Sequence, residues 1–359
     1  MLPPVTDSPV FRPHAQPQSH RPSAPRATSW PRRTVGVAVY GLGTVGSGMV
    51  TILQAAAADL LAQHDLRTSL RHVVVRDPSR RRAADVDPAL FTTDWTRPLD
   101  DPTVGVVVEV MGGLEPAGTV IRRALKSGKH VVTANKALIA SEGGALEAMA
   151  DAHGVTLRYE ASVGGAIPLI HTLRGTMAGN RITRVAGILN GTTNFILTRM
   201  SEDGVSFEAA LADAQARGFA EADPTADVSG LDAAQKLVIL ARHAFGRWVP
   251  VECVDRVGIT GVSAADVASA REAGEVIKLV AEAVNTGGSM RLRVAPARLP
   301  AGHALANVRD EYNAVQIEGD FAGSLTFIGR GAGASPTGSA VYDDMVASMK
   351  SRVAAHELS

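Results

Sequence analysis

The chain has 359 residues, enough for two packed domains. Lysine plus arginine and aspartate plus glutamate both number 36, so no net charge draws it to nucleic acid or to a membrane surface. Cys253 is the only cysteine, which excludes an intramolecular disulfide and zinc sites built on paired cysteines, and no apolar run reaches the length of a membrane span. An α/β enzyme with no nucleic-acid or membrane partner is the expectation.

Residues 1–33 hold eight of the 19 prolines, five arginines and a single acid, Asp7. Such a stretch cannot bury a core and reads as a disordered tail; it lacks the apolar segment of a secretory signal. From Thr34, TVGVAVYGLGTVGSGMV reads as a buried strand, a glycine turn and a helix. Gly41, Gly43 and Gly46 fit G-x-G-x-x-G: the first permits the tight turn, the second lets the backbone approach a pyrophosphate, the third lets helix and strand pack. Thr44 and Val45 open the helix, whose N-terminus would face the anion. A glycine-rich turn without a ligand is the bland alternative.

Strand patterns follow at 70–76, 104–110, 129–133 and 156–160, with helical patterns at 116–127 and roughly 142–153. The alternation predicts an α/β fold with a Rossmann-type, doubly wound parallel sheet, whose ligands lie beyond the carboxyl ends of the strands. The second strand ends VVVRDPSRRR. Arg76 there would accommodate the 2′-phosphate of NADP(H), while Asp77, one residue on, would instead favour the ribose hydroxyl of NAD(H). Glu109-Val-Met-Gly-Gly and Thr133-Ala-Asn-Lys136 also fall at carboxyl ends, so Lys136 would point into the cofactor crevice. Further on, Gly218 leads into a loop carrying Glu221, Asp223 and Asp227, able to hold a substrate ammonium group. Asp232 and Lys236 then share one helix face, four residues apart. A lysine held by an aspartate can move a proton; an ordinary surface ion pair is the competing reading. Two lysines converging on one oxygen would each lower the other's pKa. ECVDRVGIT reads as a helix-to-loop connection, which places Cys253 away from these motifs.

GLGTVGSG, VVEVMGGLEPA, HVVTANKALIA, YEASVGGAIPLI, GILNGTTNFIL, GFAEADPTADVSGLDAAQKL and GRGAGASPTGSAV occur in this order, and the chain from Gly36 to about Met345 resembles homoserine dehydrogenase. The resemblance implies interconversion of L-homoserine and L-aspartate 4-semialdehyde with NAD(P), on the route to threonine, methionine and isoleucine. It implies that Lys236 is the acid/base, that Asp232 supports it, and that Lys136 lies between cofactor and substrate. Thr192, Glu221, Asp223 and Asp227 would line the substrate pocket with Asp232 and Lys236. Gly218, Glu221 and Gly333 would lie near the cofactor. A monovalent cation, sodium in the family, would be held by Glu160 and by the carbonyls of Val163, Gly165 and Ile167.

The organisation implied is a nucleotide domain over 34–158, a substrate and dimerisation part over 159–333, and a C-terminal segment, 334–359, whose helix near 336–355 returns to the nucleotide domain. Strands at 290–296, 313–319 and 323–329 would build a mixed sheet that pairs two subunits into a homodimer. The family's C-terminal ACT-type regulatory domain has no counterpart before Ser359, so weak or absent inhibition by threonine is expected. A related dehydrogenase of another small amino acid, or a silent NADP-binding protein, are the competing readings; intact Lys136, Asp232 and Lys236 speak against the silent one.

Overall fold

The computed structural model describes residues 33–357, so the expected tail, apart from Arg33, lies outside the described residues. Strands β1 (Arg33–Tyr40), β2 (Leu66–Val74), β3 (Phe91–Thr92), β4 (Val104–Glu109), β5 (His130–Thr133) and β6 (Leu157–Arg158) form one sheet in the order β3-β2-β1-β4-β5-β6. Every pairing in it is parallel. The chain direction across the sheet reverses between β1 and β4, which is where such sheets bind nucleotides.

Val37, Val39, Val106 and Val108 point to one face and pack with Met49 and Leu53 of the Thr44–Ala55 helix and with Val341, Met345 and Met349 of the Ala334–Glu357 helix. Their neighbours Ala38, Tyr40 and Val107 point to the other face and join the Ala117–Lys126 and Lys136–Ala152 helices. Alternating side chains thus feed two cores, and a strand buried on both faces becomes an unbroken apolar run. The last helix crosses the Thr44–Ala55 helix at backbone contact: a Cβ on Gly48 would come within 2.1 Å of the Ala334 carbonyl oxygen.

The second sheet holds β7 (Ile182–Ile188), β8 (Asp255–Arg256), β9 (Glu275–Asn285), β10 (Met290–Pro300), β11 (Tyr312–Gly319) and β12 (Gly323–Arg330), in the order β12-β11-β7-β9-β10-β8. It is antiparallel except for the β10–β8 pair. Its inner face, with Val185, Ala281, Ala283 and Ile317, packs in one cluster with Ile196 of the Gly191–Asp203 helix and Leu240 of the Leu231–Phe245 helix. Its outer face carries Arg184, paired with Glu282 and Glu318 at 2.7 Å each.

Differences from the sequence reading lie in the boundaries and in the second sheet. The second strand starts at Leu66, the strand expected over 156–160 is only Leu157–Arg158, and the helix expected from 142 starts at Lys136. The supposed helix-to-loop connection around Cys253 is a single 3₁₀ turn, Val251–Cys253, leading into β8. Strands β7 and β9, at the centre of the second sheet, were not anticipated. Among the described residues no single helix is long and apolar enough to cross a membrane.

Candidate active site

At the carboxyl end of β1 the chain turns at Gly41, whose φ of +97° suits glycine and whose N–H donates to the Val74 carbonyl at 3.0 Å. A Cβ on Gly46 would lie 2.3 Å from the Gly41 carbonyl oxygen, so helix and turn are in contact there. A Cβ on Gly43 would meet nothing within 4 Å. The main chain at Gly43 therefore borders open space, and the Thr44–Ala55 helix that follows has no side-chain cap. Its first N–H groups, at Thr44 and Val45, remain available to an anion. The glycine turn thus fits a dinucleotide pyrophosphate.

Beyond β4 and β5 two buried polar residues shape the loops. Glu109 is fully buried; one carboxylate oxygen accepts from the Met111 and Gly112 N–H groups, and the other from the Thr133 hydroxyl at 2.6 Å. Asn135 caps the Lys136–Ala152 helix through the Leu138 N–H and donates to the Gly113 carbonyl. Lys136 is thereby presented at the carboxyl edge of the sheet. Arg76 lies exposed just past the end of β2. Asp77 beside it is engaged with its own turn, accepting from both the N–H and the hydroxyl of Ser79.

Asp232 is the centre of the substrate side. Its side chain is 7% exposed; one oxygen lies 2.8 Å from the Lys236 ammonium and the other 3.0 Å from that of Lys136. Burial alone would raise the Asp232 pKa, but Lys236 and Lys136 outweigh it and hold the carboxyl well below the usual carboxylate range. Lys236 is nearly enclosed and also donates to the Leu189 carbonyl at 2.8 Å; Lys136 is 41% exposed. The pKa of Lys136 is raised, chiefly by Asp232, with burial opposing. For Lys136 this runs against the expected lowering, because a carboxylate stands between it and Lys236.

Asn190, which the sequence reading did not single out, donates to Asp227 at 2.7 Å and to Asp232 at 2.9 Å. Thr192 sits on the same helix end and donates to the Phe219 carbonyl. Asp227 is half-buried, its pKa raised first by burial and then by Asp232. Glu221 is exposed but close enough to contribute to the raised pKa of Lys136. Asp223 is exposed and accepts from the Thr225 N–H; the Thr225 side chain first and then that N–H lower its pKa. Gly218 ends the Phe207–Ala216 helix with positive φ, and Gly333 precedes the last helix.

The expected cation residues lie where β6 leads toward the second sheet. The Glu160 carboxylate, buried, accepts from the Ile170 and His171 N–H groups at 2.9 and 2.7 Å, and burial raises its pKa. The Ile167 carbonyl accepts from Leu169, whereas those of Val163 and Gly165 accept no hydrogen bond among the described residues. Oxygen donors suit a hard cation. The Glu160 carboxylate and the Val163, Gly165 and Ile167 carbonyls are such donors; the Ile167 oxygen keeps a second lone pair beside its hydrogen bond.

A Rossmann-type sheet, a glycine turn open to a pyrophosphate and a lysine–carboxylate cluster at the strand ends define a nicotinamide-nucleotide-dependent oxidoreductase. A family model described as homoserine dehydrogenase matches residues 168–346, and one described as the homoserine dehydrogenase NAD-binding domain matches residues 41–160. The chain is 47% identical to homoserine dehydrogenase of Synechocystis sp. over 319 residues, covering 87% of this chain and 73% of the relative. It is 43% identical to that of Bacillus subtilis, covering 89% and 73%. Among solved structures, a homoserine dehydrogenase from Thiobacillus denitrificans superposes with a TM-score of 0.85 at 40% identity, covering 90% of this chain and 74% of that one. A hyperthermophilic archaeal homoserine dehydrogenase in complex with NADPH gives 0.75 at 25% identity, covering 88% and 98%. The chain belongs to the homoserine dehydrogenase family.

Proposed function

We propose that the chain interconverts L-homoserine and L-aspartate 4-semialdehyde, with NADP(H) preferred over NAD(H). The observation that carries this reading is the Asp232 carboxylate shared by Lys136 and Lys236. When bound, the dinucleotide supplies or accepts the hydride. In the reducing direction Lys236 gives its proton to the aldehyde oxygen, and Lys136 donates a second hydrogen bond to it. Asp232 holds both lysine side chains in place and raises the pKa of Lys136. In the oxidising direction Lys236 takes the hydroxyl proton back.

Asp227 and Glu221 hold the substrate ammonium group, and the Thr192 end of its helix closes that side. Asp223 contributes by shaping the loop through Thr225. Gly218 and Gly333 flank the cofactor. The NADP(H) preference is supported by Arg76, exposed just past β2, and by Asp77 being engaged with Ser79. An archaeal relative whose structure contains NADPH agrees with it. Sodium would be held by Glu160 and the carbonyls of Val163, Gly165 and Ile167, and would brace that turn. A homodimer is supported by exposed apolar side chains on and beside β12, Phe321 and Ile328 at 85% and 59%. A cytoplasmic location belongs to the same proposal and rests on the resemblance alone.

The test is loss of NADPH absorbance when the purified chain meets L-aspartate 4-semialdehyde, with L-homoserine identified as product. No turnover by folded, NADPH-binding protein would overturn the proposal.

A further inference from the structure

We infer that Asn190 is a positioning residue that keeps Asp227 ionised for the substrate while Asp232 stays committed to the two lysines. The inference rests on the reading of Asp227 as a partner of the substrate ammonium. Asn190 is 4% exposed and caps the Gly191–Asp203 helix, its amide oxygen accepting from the Thr193 N–H at 2.8 Å. That contact fixes which way the amide faces, because the opposite end meets two carboxylates that need donors. Its –NH₂ group then gives one hydrogen to Asp227 at 2.7 Å and one to Asp232 at 2.9 Å.

Two carboxylates this close repel, and one would be pushed toward protonation. Asp232 is protected by Lys236 and Lys136. Asp227 is not: burial and Asp232 raise its pKa, while Asn190, then Lys236 and Thr192, oppose the rise. The charged groups around Asp227 are Asp232 and Lys236 on the Leu231–Phe245 helix and Lys136 on the Lys136–Ala152 helix, with Glu221 on its own loop. None of the helix cations is paired directly with it among the described residues; its amide donor is Asn190, and the Thr192 hydroxyl beside it gives its proton to the Phe219 carbonyl. A neutral donor bridging both groups leaves Asp227 with a charge not cancelled by a protein cation, as an ammonium site requires. Removing that donor raises the Asp227 pKa further, so its negative charge is lost at a higher pH as the medium is acidified.

The test compares wild type with Asn190→Ser, Asn190→Ala and Asp227→Asn. Serine is a good N-cap, so Asn190→Ser preserves the Thr193 contact while withdrawing the bridge. The acid limb of kcat/KM for L-homoserine is expected to move to higher pH in both Asn190 variants. In acid, their KM for L-homoserine should rise about tenfold relative to wild type, the scale of one hydrogen bond to a charged group. KM for NADP⁺ should be unchanged, and Asn190→Ser should melt like wild type. If Asp227→Asn leaves KM for L-homoserine unaltered, the ammonium assignment fails and the inference with it. If Asp227→Asn raises that KM but the Asn190→Ser profile coincides with wild type, the inference alone is overturned.

Discussion

Between Gly41 and Gly46 the molecule offers a ligand main chain, whereas around Asp232 it offers side chains from separate stretches. The glycine turn works by what is missing: no Cβ at Gly43, no side-chain cap on the helix behind it. The cluster works by charge brought together, with Asn190, Asp227, Asp232, Lys136 and Lys236 converging from two helix starts, the short helical turn Thr225–Val228 and one helix face. A backbone site is encoded in consecutive residues, but a side-chain site is encoded in the fold. The two should therefore fail separately, cofactor affinity with the first and chemistry with the second.

Lys136→Ala, like Lys236→Ala, gives a large effect. Turnover should drop at least ~100-fold, the scale of losing one preorganised donor to the reacting oxygen. The melting temperature should change little, because the side chain is 41% exposed and Asp232 retains Lys236. The glycine turn sharpens the contrast. Gly43→Ala places a methyl in open space, so the fold should persist while KM for NADPH rises ~10-fold or more, matching an overpacking cost of ~1–3 kcal/mol. Gly46→Ala drives its methyl onto the Gly41 carbonyl and should lower the melting temperature as well. Arg76→Ala should reduce the NADPH-over-NADH ratio of kcat/KM by about tenfold, the worth of a hydrogen bond to a charged group, without touching KM for homoserine. Equal or better kcat/KM with NADH in the wild type would refute the preference itself. The smallest change is Glu221→Gln, which should raise KM for L-homoserine about 2- to 5-fold, as for an exposed charge pair, and leave that for NADPH alone.

What the sequence revealed follows the same division. β1, its turn and its helix were legible because a buried parallel strand is an unbroken apolar run and the glycines sit at fixed offsets. β9 was hidden: Glu275, Lys278, Glu282 and Asn285 recur at intervals of three and four, a helical period on a strand. Lys278 breaks the pattern because it is buried, its ammonium satisfied by Asn194 and the Val308 carbonyl. β3, two residues long, carries too little pattern to detect. In the site, the Asp232–Lys236 pair could be read from helical spacing. The resemblance placed Lys136 between cofactor and substrate, but its contact with the same carboxylate is seen only in the fold. Asn190 was not singled out: it caps its helix three residues before the Thr193 N–H it binds, and nothing local indicates the carboxylates beyond it.

Lys236→Ala, with turnover and NADPH dissociation constant determined on the same preparation, separates cofactor binding from proton transfer most directly. Turnover of L-aspartate 4-semialdehyde is expected to drop at least ~100-fold while the dissociation constant stays at its wild-type value. Near-wild-type turnover, or a loss of NADPH binding as large as the loss of rate, would contradict the assignment of the proton to the Asp232 cluster and of the cofactor to the glycine turn.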